Sequence, residues 1–343
     1  MLEEVIGDIM TVLEQYDIEV AGIKTEAYKD KKGVWWIDTP QGYRILKKHS
    51  NSKETVEFII SAVYYLKNNG VNIPDIVKTK GNSSYVYRDN HCYVMSKAVT
   101  GNNPRYENTE ELKRVVHEMA GFHLASVGFQ PPRGCKSRAH LGGWVEDYKN
   151  RSEKLKGYFA KEEKNVGCSA FGDTILKEFP HFYSRMQEAA SLLVESCYFK
   201  WVDEAANKKS LCHQDFAAGN LILTDSGEMF VLDTDSITID IPIRDIRKLL
   251  NKVMKKRGMW DIELVRKMLE WYQDKNPLEA SRWQVLKADL AYPHLFEGIM
   301  SKYYEKREKS WTQDKYIKRL NEMIKIEKLA EPIIDCFDNL IPV

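Results

Sequence analysis

His213-Gln-Asp215-Phe-Ala-Ala-Gly-Asn220, followed by Leu221-Ile222-Leu223 and then by Met229-Phe-Val-Leu-Asp233-Thr-Asp235, is the stretch that decides the reading of this chain. It reads as a loop carrying an Asp and, five positions on, an Asn. A short apolar strand follows, then a turn at Asp225-Ser226-Gly227 and a second strand that ends on Asp233. An Asp placed to take a hydroxyl proton, an Asn and an Asp to hold magnesium, and a hairpin fixing their spacing are what phosphoryl transfer from ATP requires. His-x-Asp alone is a weak signal, whereas the joint pattern with the hairpin and the second Asp is specific. The competing reading is that these are polar loop residues capping turns.

In this reading Asp215 is the catalytic base, and Asn220 and Asp233 supply oxygen ligands to Mg²⁺, a hard cation. Strand alternation puts Asp235 on the same side as Asp233 if the strand continues, either supporting the metal ligands or capping the next turn. His213 braces the loop rather than moving protons. The chemistry also needs a lysine on a third strand held by a glutamate on the next helix. Leu46-Lys47-Lys48 offers two lysines, of which Lys47 follows the apolar Ile45-Leu46 pair and leads. Glu54 and Glu57 lie three apart on one helical face, and Glu57, clear of the first turn, leads.

The rest of the chain is organised to suit. At 343 residues with 43% hydrophobic and 29% charged residues, it can form two lobes around an ordinary core. A net charge of +1 argues against a nucleic-acid or membrane-surface footprint, and the basic run Lys252 to Arg257 reads as a solvated helix face. Six scattered cysteines without a C-x-x-C pair fit neither a zinc site nor a disulfide framework, and imply a reducing compartment. Met1-Leu-Glu-Glu-Val lacks a signal-peptide layout, and Phe58 to Leu66 is too short to span a bilayer, so a soluble protein made in the cytoplasm is expected.

An amphipathic helix is expected over Leu2 to Tyr16, on Val5, Ile9, Val12 and Leu13. Strands follow at 19–24, 33–38 and 43–47, then a helix capped by Ser52 that stops at Asn69-Gly70, then strands at 84–88 and 91–95. Beyond Gly101-Asn-Asn-Pro104 the pattern is helical: from Thr109, then 144–164, 174–195, 243–256, 262–273, 282–290 and 312–337. The expected fold is α+β and bilobal. Residues 1–98 form a small antiparallel-sheet lobe for nucleotide, and 99–343 a larger, mainly helical lobe with the catalytic loop and acceptor region. A cleft lies between them.

The sequence resembles the aminoglycoside phosphotransferase and choline kinase branch of the protein-kinase-like fold, and within it the bacterial spore-coat kinase-like proteins, the CotS group. The likeness is carried by Leu46-Lys47, Glu57 before Asn72-Ile-Pro74, and Val94-Met-Ser-Lys-Ala98 leading to Gly101. It continues with His213-x-Asp215-x4-Asn220, Leu232-Asp233-x-Asp235 and Pro242-Ile-Arg-Asp245-Ile. The resemblance implies ATP and Mg²⁺ as cofactors and a small-molecule hydroxyl acceptor or a coat protein as partner, in the spore coat. It implies that Ser96 and Ala98 pair through their backbone with the adenine edge, with Met95 behind the ring. It also implies that Asp245 ties the following helix to the catalytic loop.

The departures are Gln214 and Phe216-Ala217-Ala218 in the loop, and a phosphate cover, Glu26 to Lys32, without a G-x-G-x-x-G. Lys29, Lys31 or Lys32 is in reach of phosphates there. Trp260, Trp271-Tyr272, Tyr292, Phe296 and Tyr303-Tyr304 read as core or as an aromatic acceptor site for a sugar or a cationic head group. Two functions follow. One is an ATP- and Mg-dependent phosphotransferase acting on a hydroxyl; the other is a structural or adaptor coat protein on a catalytically retired kinase scaffold.

Overall fold

The computed structural model describes residues 2–29 and 32–342. Lys31, and the side chains of Lys29 and of residues 2–6, including Val5, lie outside what is described. The first region runs α1 (Leu2–Leu13), β1 (Gly22–Lys29), β2 (Lys32–Asp38), β3 (Arg44–His49), α2 (Lys53–Asn68), β4 (Val86–Arg88) and β5 (His91–Lys97). The strands form one antiparallel sheet in the order β1-β2-β3-β5-β4. Strand alternation divides its residues between two faces. Trp35, Ile37, Leu46, Tyr93 and Met95 bury one face with Ile9, Val12 and Leu13 of α1. The other face, including Val34, Ile45, Lys47 and Val94, opens on a cleft. Ser52 caps α2 as expected, its Oγ accepting the Thr55 N–H at 3.4 Å.

The remainder is mainly helical: α3 (Thr109–Ser126), α4 (Trp144–Glu162), α5 (Ala170–Glu195) and α6 (Tyr198–Lys208), then β6 (Leu211–Cys212), β7 (Leu221–Leu223), β8 (Met229–Val231) and β9 (Thr238–Ile239), then α7 (Ile243–Arg257), α8 (Ile262–Lys275), α9 (Ala280–Ala291), α10 (His294–Tyr304) and α11 (Gln313–Asp335). The cap of α3 is Asn108 rather than Thr109: its Oδ1 accepts the N–H groups of Glu110 and Glu111 at 3.0 and 3.2 Å. The short helices α6 and α10 were not separated by periodicity. One follows the end of α5 directly at Ser196, the other follows Pro293.

The downstream aromatics go mostly into this core. Phe171 stacks on Tyr303 with ring centroids 3.7 Å apart, and Tyr148 stacks on Tyr292 at 4.3 Å. Tyr272 and Phe296 are fully buried. The aromatic acceptor site expected as one option is therefore packing.

The chain crosses from sheet to helices along a strap welded to the hairpin of β7 and β8. Asn102 and Leu223 exchange backbone hydrogen bonds of 2.9 and 2.8 Å, and Asn103 Nδ2 donates to the Leu221 carbonyl at 2.8 Å. Gly101, at φ +153°, allows that approach, because a Cβ there would sit 2.4 Å from the Leu223 carbonyl oxygen. Gly101→Ala is therefore expected to destabilise the fold by about 1–3 kcal/mol. Thermal unfolding checks this, and an unchanged Tm would show that the strap tolerates a side chain.

Candidate active site

The loop 213–220 is shaped from behind by α7. Asp245, wholly buried in its first turn, accepts the backbone N–H of His213 at 2.7 Å and that of Gln214 at 2.8 Å. His123 of α3 adds a ring bond to the same carboxylate at 3.1 Å and one to the Tyr272 hydroxyl at 2.9 Å. Burial opposes ionisation of Asp245, but the bond and charge of His123 outweigh it and hold the carboxyl below its ordinary value. His123, Cys212 and Asp245 lie close enough together to resemble a metal cluster. Their polar atoms are already spent, Cys212 Sγ donating to the Ile241 carbonyl at 3.2 Å, so the trio is a brace.

Those bonds turn the chain through a left-handed Gln214, at φ +68°, and aim the next residue outward. His213 is locked and neutral: Nε2 donates to the Leu232 carbonyl at 2.8 Å while Nδ1 accepts the Asp215 N–H at 3.2 Å. Burial pulls its pKa down. Both ring nitrogens are used, so it is architectural, as the spacing suggested. Phe216, 1% exposed, plugs the lobe behind Asp215, packed edge-on to His213.

Asp215 itself stands half-exposed between two partners. Asn220 Nδ2 donates to its Oδ2 and to its backbone carbonyl, both at 2.9 Å, and Lys252 Nζ of α7 meets Oδ1 at 2.5 Å. Burial raises the Asp215 pKa, yet the Lys252 bond and charge, with Asn220, more than cancel it, so the carboxyl ionises below its usual range. The Leu232 N–H donates to the Asn220 carbonyl at 2.8 Å, which seats Asn220 and Asp233 at the same end of the hairpin. Asp233 is left-handed, at φ +52°.

Asn220, Asp233 and Asp235 line one cleft of about 630 Å³ with Lys47 and His49 of β3. Lys47 Nζ lies 2.6 Å from Asp233 Oδ1 and 2.8 Å from Asp235 Oδ2, and His49 Nδ1 lies 3.5 Å from Asp235 Oδ1. Burial lowers the Lys47 pKa, but the two carboxylates overcome it and hold the ammonium charged. The Lys32 charge is also felt at Asp235 and His49. The donor set suits a hard divalent cation. The Asn220 amide nitrogen is committed to Asp215, its Oδ1 makes no hydrogen bond among the described residues, and two carboxylates stand beside it. The wall above is apolar: Val34, Ile45, Val94, Ile222 and Val231.

Residues 10–337 match the family described as "Spore coat putative kinase YutH". The chain belongs to this spore coat kinase family. It is 32% identical over 333 residues to spore coat protein S of Bacillus subtilis (strain 168), covering 97% of this chain and 93% of that protein. Its fold is that of an aminoglycoside phosphotransferase from Alicyclobacillus acidocaldarius, with TM-score 0.79, 15% identity and 96% of each chain covered. A spectinomycin phosphotransferase solved with ADP and spectinomycin shares it as well, with TM-score 0.68, 11% identity and 98% of each chain covered.

Against the arrangement expected of such a kinase fold, three placements differ. Lys47 does not pair with Glu57 among the described residues. Glu57 Oε1 accepts the Tyr85 hydroxyl at 2.7 Å, and Lys47 is drawn instead to the two aspartates. The alternatives fare no better: Glu54 is exposed at the start of α2, and Lys48 lies 5.9 Å from the centre of the Tyr28 ring. Met95, fully buried, faces the α1 core because it pairs with Leu46. Val94, opposite Lys47, takes the cleft side. Ser96 and Ala98 line the cleft, but the Ala98 N–H donates to the Tyr43 carbonyl at 3.1 Å.

Two residues of the site were missed, and both were legible by periodicity. His49 is two positions after Lys47 on one strand face. Lys252 is seven after Asp245, and Lys248 three after it, so one face of α7 carries all three to the loop. Lys248 Nζ donates to the Gln214 carbonyl at 2.6 Å. The run Lys252 to Arg257 is thus not simply a solvated face.

Gln214 also donates through Nε2 to Asp240 Oδ2 at 3.1 Å. Burial pushes the Asp240 pKa up to about 7 against the charge of Arg244 and the bonds from Ile241 and Gln214. An unfolded Asp ionises near 3.9. Between those values the unfolded chain therefore holds fewer protons, and this group makes stability fall as pH rises. Asp240→Asn is expected to remove that decline, so that the Tm difference between about pH 5 and about pH 8 shrinks by a few degrees. An undiminished difference would contradict the assignment.

Proposed function

We propose that this spore coat kinase transfers the γ-phosphoryl group of ATP, with Mg²⁺, to a hydroxyl of a small molecule. The reading is carried by one observation: Lys47, Asn220, Asp233 and Asp235 converge in one cleft, and Asn220 is bonded to an outward-facing, ionised Asp215.

In this proposal the adenine lies against the apolar wall, with Ser96 at its edge; pairing at the Ala98 N–H is set aside because Tyr43 holds it. Lys47 exchanges carboxylate oxygens for phosphate oxygens, as a point charge does readily. Asn220 Oδ1, Asp233 and Asp235 would hold the cation, which would supply charge neutralisation on the phosphates. Asp215 orients the acceptor hydroxyl and takes its proton as the oxygen bonds to the γ-phosphorus. The bond to the bridging oxygen breaks, and ADP leaves with that electron pair. His123 and Asp245 keep the loop in place throughout.

A second reading, a coat structural protein on a retired scaffold, is favoured by Glu57 and the Ala98 N–H both being engaged away from the cleft. Mg-ATP separates the two. A ligand specific to the folded state at a hundredfold excess over Kd adds about 2.7 kcal/mol of stability, which the retired scaffold would not gain. Asp215→Asn is expected to keep that thermal shift and to lose about 10²–10⁴-fold in ATP consumption across a panel of hydroxyl acceptors. Equal consumption by the variant and the wild type would remove Asp215 from the mechanism.

A further inference from the structure

The acceptor side of the site carries an unusual charge. Asp215 is absent from the lining of the nucleotide cleft, and its Oδ1 points instead to Lys252 on α7. In-line transfer puts the attacking oxygen on the far side of the γ-phosphorus from the leaving oxygen, so the acceptor approaches from the side of α7. One turn further along the same face is Lys255, three residues after Lys252 and a neighbour of it on the helix surface. Lys302 of α10 and Arg319 of α11 complete the group, and both are felt at Lys255.

The acids nearby are mostly accounted for. Asp215 answers Lys252, Glu308 answers Lys302 at 3.2 Å, and Glu322 answers Arg319 at 2.7 Å. Lys256 and Arg257, beside them, pair with Glu107 at 3.1 Å and Asp261 at 3.5 Å. The Lys255 side chain makes no ion pair or hydrogen bond among the described residues. The residue is exposed on the helix surface, yet partial desolvation and the charges of Arg319, Lys252 and Lys302 disfavour its ammonium, with Glu322 the opposing charge. The downstream aromatic rings that would offer a site to a cationic head group are largely packed into the core.

We propose, resting on the transferase reading, that Lys252 and Lys255 form an anion seat, and that the acceptor is a small hydroxy compound bearing a carboxylate or phosphate close to its reactive hydroxyl. The spacing sets the size. Lys252 and Lys255 are three residues apart on α7, within one helical turn, and Lys252 touches Asp215, so an acid group held by both sits only a few bonds from the hydroxyl. A polycationic acceptor would be repelled at the same spot.

The test uses four compounds on one three-carbon frame: glycerate, α-glycerophosphate, glycerol and aminopropanediol. Each is titrated calorimetrically into the full chain and offered as acceptor with Mg-ATP, alongside the Mg-ATP thermal shift. The two anions are expected to bind at least about tenfold more tightly than glycerol, and Lys255→Glu to erase that preference while the thermal shift stays. Binding of glycerol or aminopropanediol equal to the anions, or anion binding indifferent to Lys255→Glu, overturns the seat. Loss of the Mg-ATP shift with the Lys255-dependent anion preference intact sinks the transferase reading and leaves the seat standing.

Discussion

The Asp245 carboxylate receives the backbone N–H groups of His213 and Gln214 and the ring of His123, and the loop 213–220 has its shape because of those bonds. A carboxylate with 0% exposure is tolerable only when its lone pairs are answered, and here they are. The left-handed turn at Gln214 costs about 1–3 kcal/mol of local strain, which two charge-assisted bonds offset. Removing the carboxylate would leave two buried N–H groups without acceptors and let the turn relax. Asp215 would then no longer be aimed outward, whatever its own chemistry.

From that brace the site is built outward in two directions. Towards the sheet, the hairpin of β7 and β8 is fixed by Asn102, Asn103 and Asn72, whose carbonyl accepts the Val231 N–H at 2.8 Å. The same hairpin delivers Asn220 and Asp233 to Lys47. Towards the helices, α7 returns past the loop with Asp245, Lys248 and Lys252 on one face, so a single helix sets both the loop's backbone and the environment of its carboxylate. The two lysines differ in role: Lys248 holds the Gln214 carbonyl, whereas Lys252 reaches the Asp215 carboxylate.

The five-stranded sheet, the helical remainder and the loop with its hairpin were legible in the sequence, because each rests on local signals: alternation at Gly33 to Asp38, a Ser52 cap, an Asp-Ser-Gly turn. The misplacements came where two elements had to be registered against each other. Met95 has the right neighbours in sequence, but its face is set by pairing with Leu46, which no single strand reveals. Glu57 sits on the expected helix, but Tyr85, nearly thirty residues on, competes for it, and Lys47 finds two nearer carboxylates. Lys252 looked like part of a solvated run because charge was read as a cluster. Counted from Asp245 at helical spacing, it falls on the loop-facing side.

In the proposed mechanism Asn220 and Asp233 together make a site for a divalent cation that the nucleotide completes. Mn²⁺ titration followed by electron paramagnetic resonance, with and without a non-hydrolysable ATP analogue, tests it directly. Tight Mn²⁺ uptake by the wild type with nucleotide is expected, with its loss in Asp233→Asn while the fold persists. Nucleotide-dependent uptake that is the same in both proteins, or absent from the wild type, would contradict it.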